Sequence, residues 1–305
     1  MRVINYVITE EYDNRPLLHF LKGHIKLSTH IVQSLRHTYG AVLINNEPAR
    51  LVDKVFKGDS LELHLPEKST APLLWEMELS VIFEDEDLLI INKPSGISVH
   101  PTFNHPNETL CNAVANYLAK TDNPSAVARA VGRLDKVTSG VMLFTKNAFC
   151  ASRLNGNIEK TYNAIAYGNM ENSGTVDAPI YRPDLNKTVR AVGEHGDKAI
   201  THWKAIAHLD NKTFLEIKTE TGRTHQIRVH CAHIGHPLLG DEMYGAPVTE
   251  HLKRAALHCR EVSFIHPVTD KEMTFVAPLP DDMKKELEKE LEKSGFFVDK
   301  QNIIC

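Results

Sequence analysis

The chain has 305 residues, 42% of them hydrophobic and 24% charged, with a formal net charge of −4 at pH 7. That is the composition of an ordinary globular protein, long enough for one large domain and a small one. It excludes a chain basic all over, and apolar runs as short as Leu88–Ile91 exclude a bilayer-spanning helix. Nucleic acid stays open as a partner, because binding depends on where the cations lie rather than on their total.

The opening residues Met1-Arg2-Val3-Ile4-Asn5 lack the apolar core of a signal peptide, so a cytoplasmic location is expected. Five cysteines (Cys111, Cys150, Cys231, Cys259, Cys305) lie far apart, without the close pairs of a zinc site or a disulfide framework. Reduced thiols filling core space are expected.

Residues 1–11 alternate loosely and suit a strand. Leu17, Leu18, Leu21 and Ile25 then repeat at helical spacing, and Ser28 opens a second helix through Ile31, Val32 and Leu35. Short strands follow at Gly40–Glu47 and Val55–Leu63, so residues 13–66 read as a compact α+β module. Between Arg15 and Ser60 seven Lys/Arg stand against three acids, a surplus of four positive charges in a net-negative chain. A local surplus of this kind is the footprint expected for a phosphate backbone.

Residues 67–79, with Pro72 and a Ser-Thr-Ala stretch, read as a linker, and residues 80–280 as the main domain. That domain opens with a hairpin, Leu79–Phe83 and the fully apolar Leu88–Ile91, stopped by Pro94-Ser95-Gly96. Helices are expected near Cys111–Lys120, Ala148–Ile158 and Arg223–Ile234, and strands at Tyr162–Gly168, His202–Leu209, Thr213–Thr219 and Met273–Ala277. In residues 281–305, a charged helix to Lys293 carries Met283, Leu287 and Leu291 as one narrow apolar stripe. It reads as docked on the surface and structural.

The chemistry concentrates around Val131-Gly132-Arg133-Leu134-Asp135-Lys136-Val137-Thr138-Ser139-Gly140, which runs into the apolar Val141–Phe144. Thr138, Ser139 and Gly140 form turns, so Asp135 sits in a loop at the mouth of a strand, where sites tend to lie. Taken alone, this is equally a surface turn whose Asp pairs with Arg133 or Lys136.

Five blocks change that reading. They are Asn92–Pro101, Gly132–Gly140, Lys160-Thr161-Tyr162, Thr221–His230 and Gly235–Gly245, in that order. Together they resemble the RluA/RluD-type RNA pseudouridine synthases, over about residues 80–280. The module at 13–66 is similar to the RNA-binding domain of the ribosomal-protein S-four type, through Leu27-Ser28, Gly40-Ala41-Val42, Ile44-Asn45 and Gly58-Asp59.

The resemblance implies an α+β fold, with a catalytic domain built on a mixed, mainly antiparallel sheet flanked by helices and loops. It implies isomerisation of uridine to pseudouridine with no metal and no organic cofactor. Asp135 falls on the catalytic aspartate, which attacks the anomeric carbon, adds to carbon six of the base or takes a ribose proton. Tyr162 falls on the tyrosine that stacks on the target base or serves as a base at carbon five, and Arg228 on the residue paired with the aspartate. Arg133 falls on the arginine that holds the opened RNA. Lys136, Arg223, His225 and Gln226 around the cleft, and Lys22, Lys26 and Arg36 in the module, are expected to meet RNA. The partner is then RNA, large-subunit ribosomal RNA ahead of transfer RNA, and the chain a monomer without membrane attachment. The rivals are a non-catalytic RNA-binding assembly protein, which has no need of the Asp135, Tyr162 and Arg228 set, and a hydrolase, which lacks its constellation.

Residue chemistry agrees independently. An ionised carboxylate is favoured by an adjacent cation, and Arg holds a carboxylate with two bonds. A base leaving its stack needs an aromatic platform and a filler for the gap. Gly132 and Val137 depart from the family, which often has His and an acid there. His225, His230, His233 and His236 crowd one segment without an acid at ligand spacing, so no metal is expected. Asp241 and Tyr244 read as turn formers, and Tyr167 as packing on the strand face opposite Tyr162.

Overall fold

The computed structural model describes residues 2–65, 73–102, 106–121 and 127–293, with side chains to 288. Residues 66–72 of the predicted linker, the C-terminal tail and the Leu291 side chain lie outside the described residues.

The first part of the chain comprises β1 (Arg2–Val7), β2 (Arg15–Pro16), α1 (Leu17–Gly23), α2 (Thr29–His37), β3 (Val42–Ile44), β4 (Glu47–Pro48), β5 (Lys54–Val55) and β6 (Ser60–Leu65). Four of the strands form an antiparallel sheet in the order β1-β6-β3-β4. The Ser28 side chain caps α2 by accepting from the Ile31 N–H. Asn45 and Asn46, both at positive φ, make the tight β3–β4 hairpin just where the apolar run ends at Ile44.

Next come β7 (Val81–Glu84), β8 (Leu88–Lys93), α3 (Leu110–Ala119), β9 (Arg129–Ala130), β10 (Ser139–Thr145), α4 (Ala148–Leu154), β11 (Ile158–Tyr167), β12 (Ser173–Asp177), β13 (Ile180–Tyr181) and β14 (Ala191–Val192). The chain continues through β15 (Ile200–Leu209), β16 (Lys212–Thr219), α5 (Gln226–His233), β17 (Leu257–Ile265), β18 (Glu272–Val276) and α6 (Asp281–Lys293). A ten-stranded sheet runs β12-β15-β16-β11-β17-β10-β8-β7, with β18 beside β17 and β9 beside β10. Among the described residues only β10 and β17 pair in parallel, through Ser139↔His258 and Gly140↔Cys259. The sheet is thus mixed and mainly antiparallel.

β8 and β10 are buried on both faces, as their continuous apolar runs require. Arg2 on β1 ties the N-terminal sheet to the large one. Its Nε and Nη2 donate to the two oxygens of Asp87 at 2.8 and 2.9 Å. Asp87 is buried and also accepts from Asn147 Nδ2. It lies beside the Thr145 end of β10, whereas the Asp135 turn feeds the Ser139 end. Across a seven-residue strand these ends lie roughly 20 Å apart.

Three elements differ from expectation. α4 ends at Leu154, four residues early, and β11 begins at Ile158, because Gly156 at positive φ turns the chain between them. α5 begins at Gln226 rather than Arg223, because His225 adopts a left-handed conformation that no helix continues. Tyr167 ends β11 on the surface, 39% exposed, so it is not the packing residue expected from alternation.

Gly140 decides how closely β10 meets β17. Its φ is +116°, and a Cβ there would sit 2.1 Å from the Cys259 carbonyl oxygen. Gly140→Ala is expected to lower stability by about 2 kcal/mol or more, read as a reduced denaturant midpoint. An unchanged midpoint would show that the parallel pair can move apart freely.

Candidate functional site

Gly132–Ser139 loops from β9 into β10, and its conformation is set from behind by buried cations. Lys93, at the end of β8, is fully buried. Its Nζ donates to the carbonyls of Pro94 (2.9 Å), Lys136 (3.3 Å) and Thr138 (2.7 Å). The Val137 carbonyl accepts from Arg254 Nη1 at 3.1 Å. The Thr138 N–H closes the turn onto the Asp135 carbonyl, and the Gly96 N–H donates to the Lys136 carbonyl. With the carbonyls of residues 135–138 taken up inside, the turn presents the Asp135 side chain to a cleft.

Asp135, Tyr162, Arg133, Thr138 and the loop Thr221–Arg228 line this cleft. Tyr162 is opposite Cys259 on β17, just past a register shift between Thr161 and Tyr162. Such a bulge re-aims the side chain that follows it. Gly140 pairs with the same Cys259 from the other side, so Tyr162 stands beside the turn. Burial holds its phenol far above its usual pKa, and the nearby Cys259 thiol and Asp135 carboxylate push the same way. The ring is therefore a neutral wall of the cleft.

The Asp135 carboxylate is 14% exposed. Its nearest cations stand off, with Arg228 Nη1 at 3.9 Å and Arg133 Nη2 at 4.0 Å. Burial pushes its pKa above the ordinary value, against the pull of Arg228, Arg133, Lys93 and Arg190. The expected pairing of Arg228 with Asp135 is present as an ion pair at 3.9 Å, without a two-bond grip. Arg228 gives that fork to Asp241, with Nε and Nη2 each 2.6 Å from a carboxylate oxygen. Burial works against the guanidinium charge, but the Asp241 pairing outweighs it and leaves the pKa raised.

Asp241 and Tyr244 therefore do more than shape a turn. The Arg228 guanidinium lies 5.1 Å from the centre of the Tyr244 ring. The Tyr244 hydroxyl accepts from the Arg190 N–H and faces His225 Nδ1, both at 3.0 Å. Burial, then the positive charges of Arg228 and Arg190, lower the His225 pKa to about 4, so the ring is neutral near pH 7 and Nδ1 can accept from the phenol.

The other predicted site residues divide. Arg133 and Lys136 are exposed around the turn. Arg223 lies at the rim, its Nε donating to the Lys198 carbonyl and its Nη1 3.5 Å from Asp197. Gln226 is corrected. It is 4% exposed, accepts from Thr221 Oγ1 and the Arg223 N–H, and donates to the Ile200 carbonyl and Thr201 Oγ1. Its polar atoms are used internally, where they hold the loop that lines the cleft. Lys22, Lys26 and Arg36 are exposed on the N-terminal module and do not reach the cleft. Of the crowded histidines, His230 bonds Thr201 Oγ1 and the Ala178 carbonyl, and His236 the Tyr167 carbonyl. No group of three metal-ligating side chains converges among the described residues.

From sequence, Asp241 and Tyr244 read only as turn formers, and Lys93 and Arg190 carry no assigned role, although Lys93 leaves a signal as a cation closing an otherwise apolar strand ahead of Pro94.

A family profile described as RNA pseudouridylate synthase matches residues 87–233. The chain is 37% identical over 271 residues to YjbO of Bacillus subtilis, termed an uncharacterized RNA pseudouridine synthase, covering 86% of this chain and 95% of that protein. It is 38% identical over 250 residues to the ribosomal large subunit pseudouridine synthase D of Haemophilus influenzae, covering 75% and 76%. Among solved structures, human RNA pseudouridylate synthase domain containing 4 superposes with a TM-score of 0.56 at 25% identity, covering 69% of this chain and 92% of that one.

Breaking the Arg228–Asp241 pair strands a buried charge. Asp241→Ala is expected to lower unfolding free energy by about 3–5 kcal/mol, and Arg228→Met with Asp241→Leu to recover most of it. Equal losses in the single and double variants would mean that burial of the charges is not what the pair relieves.

Proposed function

The chain belongs to the RluA/RluD-type RNA pseudouridine synthases and isomerises uridine to pseudouridine in RNA, and we propose that Asp135 is its reacting carboxylate and large-subunit ribosomal RNA its target. The observation that carries the first part is one buried carboxylate on a turn tied from behind, facing a cleft shared with a neutral tyrosine ring.

In the reaction the N1–C1′ bond breaks, the base turns, and C5 bonds to C1′. The proton on C5 leaves and N1 gains one, so no atom is lost. Asp135 acts on the target nucleotide in its ionised form. Tyr162 serves as the stacking platform, because its protonated phenol is poorly suited to act as a base. Arg133, exposed beside the carboxylate, holds the nucleotide's phosphate or fills the gap it leaves. Arg228 does not hold Asp135 directly. It supplies positive charge across the cleft while Asp241 keeps its guanidinium in place.

Support for the ribosomal target comes from the relatives named for the large ribosomal subunit and from the basic N-terminal module. With its anchor at the far end of β10, that module would meet RNA well away from the flipped uridine through Lys22, Lys26 and Arg36. We place the enzyme in the cytoplasm as a monomer. Among the described residues no helix is long and apolar enough to cross a membrane.

Asp135→Asn is expected to cut turnover by roughly 10⁴-fold while leaving RNA affinity near normal. Because burial disfavours the charged carboxylate, this variant should be at least as stable as the parent at neutral pH. The same raised pKa puts the acid limb of the parent's kcat/KM profile above the ordinary carboxylate range, with activity rising as Asp135 ionises. Full activity in the variant would remove Asp135 from the chemistry.

Pseudouridine mapping with and without the gene should show sites lost from large-subunit ribosomal RNA. Lys22→Glu, Lys26→Glu and Arg36→Glu together should weaken modification of intact RNA about 10-fold or more and flatten its salt dependence. Sites lost from transfer RNA alone would overturn the proposed target.

A further inference from the structure

Away from the cleft, a dense set of polar contacts runs from the C-terminal helix to the back of the Asp135 turn. α6 buries Met283 and Leu287 completely, against Ile165, Phe214, Leu252 and Ala256. Its first turn carries Asp282, whose two oxygens accept from Arg254 Nε at 2.6 Å and Nη2 at 2.9 Å. The remaining contacts of that guanidinium lead to the turn and the strand beside it. Nη1 donates to the carbonyls of Val137 (3.1 Å), Ala255 (3.1 Å) and Leu257 (3.2 Å), and Nη2 to Ser139 Oγ at 3.4 Å.

A second tie runs in parallel. Ser139 Oγ is 2.9 Å from His258 Nδ1, and His258 Nε2 is 3.2 Å from the Ala277 carbonyl, close before α6. A carbonyl only accepts, so Nε2 carries the proton. In the neutral ring, Nδ1 then accepts from the Ser139 hydroxyl. Burial lowers the pKa of this histidine to about 4, which keeps it neutral near pH 7.

We propose that Arg254 is a positioning residue for Asp135, oriented by Asp282, so that the C-terminal helix controls how accurately the reacting carboxylate is placed. This rests on Asp135 being the reacting carboxylate. Lys93 takes the carbonyls of residues 136 and 138 and Arg254 that of residue 137. Three consecutive carbonyls therefore point at two cations, and the peptides between Asp135 and Ser139 have little freedom to rotate. A planar guanidinium fixed by two bonds to Asp282 holds its other N–H groups in set directions, which an ammonium cannot do. A misplacement of about 1 Å at a reacting group costs on the order of 100-fold in rate. Asp282 also pairs with Arg254 beside Lys93, whose pKa burial first and then the Arg254 charge lower to about 7.

The full-length chain tests this. Arg254→Lys keeps the charge and loses the fork, and is expected to lower kcat by about 10–100-fold with KM and RNA affinity unchanged. Asp282→Asn should shift the same quantities in the same direction by less, which keeps the test open if Arg254→Lys does not fold. The acid limb of the pH profile should stay in place in both.

Glu286→Gln is the control. Glu286 lies on the same helix but bonds Lys212 and Thr249, away from the turn. It should lower thermal stability while kcat is retained. Retained kcat in Arg254→Lys, or losses in all three variants that simply track their melting temperatures, would overturn the positioning role. So would a loss produced by a moved acid limb. An active Asp135→Asn would instead overturn the reading on which this role depends, so the two failures are distinguishable.

Discussion

Buried Lys93 and partly buried Arg254, both behind the Asp135 turn, are the constraint on which the rest depends. A turn that presents a carboxylate to a cleft must find partners for its own carbonyls without water, since an unpaired buried carbonyl costs about as much as a lost hydrogen bond. Lys93 and Arg254 meet that need for residues 136, 137 and 138. Of the two, Lys93 also pulls against the burial that raises the Asp135 pKa.

Burial still dominates at Asp135. The site holds its cations about 4 Å from the carboxylate rather than in contact, and Arg228, the most buried of them, is already bound to Asp241. A carboxylate locked in a tight pair would be ionised, but its oxygens would be occupied by its partner. One surrounded by positive field but not bonded to it keeps its oxygens free for a nucleotide. The Arg228–Asp241–Tyr244–His225 set fixes where that field originates, with its own hydrogen bonds satisfied internally.

The layout of the large sheet separates two tasks. One end of β8 and β10 carries the turn and cleft, and the other carries the buried Asp87 that receives Arg2 from the N-terminal module. An RNA that met the module's exposed cations and also offered a uridine to the cleft would have to follow the length of these strands.

What local pattern can carry, the sequence determined: the capped helices, the doubly buried β8 and β10, the turn at Gly132–Gly140, and the residue types that suit flipping and attack. These depend on dihedral preference and periodicity, which neighbours within about ten residues set. Tertiary structure alone decided which carboxylate Arg228 would hold, that Gln226 would turn inward, and that Arg254 would reach Val137 across 117 residues of chain. Those pairings follow from the parallel meeting of β10 with β17 and from the strand order around it. Strand order is settled by burial of the whole core, and no local pattern encodes it. The sequence thus singled out Asp135 as a candidate, and the assembled sheet determined what surrounds and holds its turn.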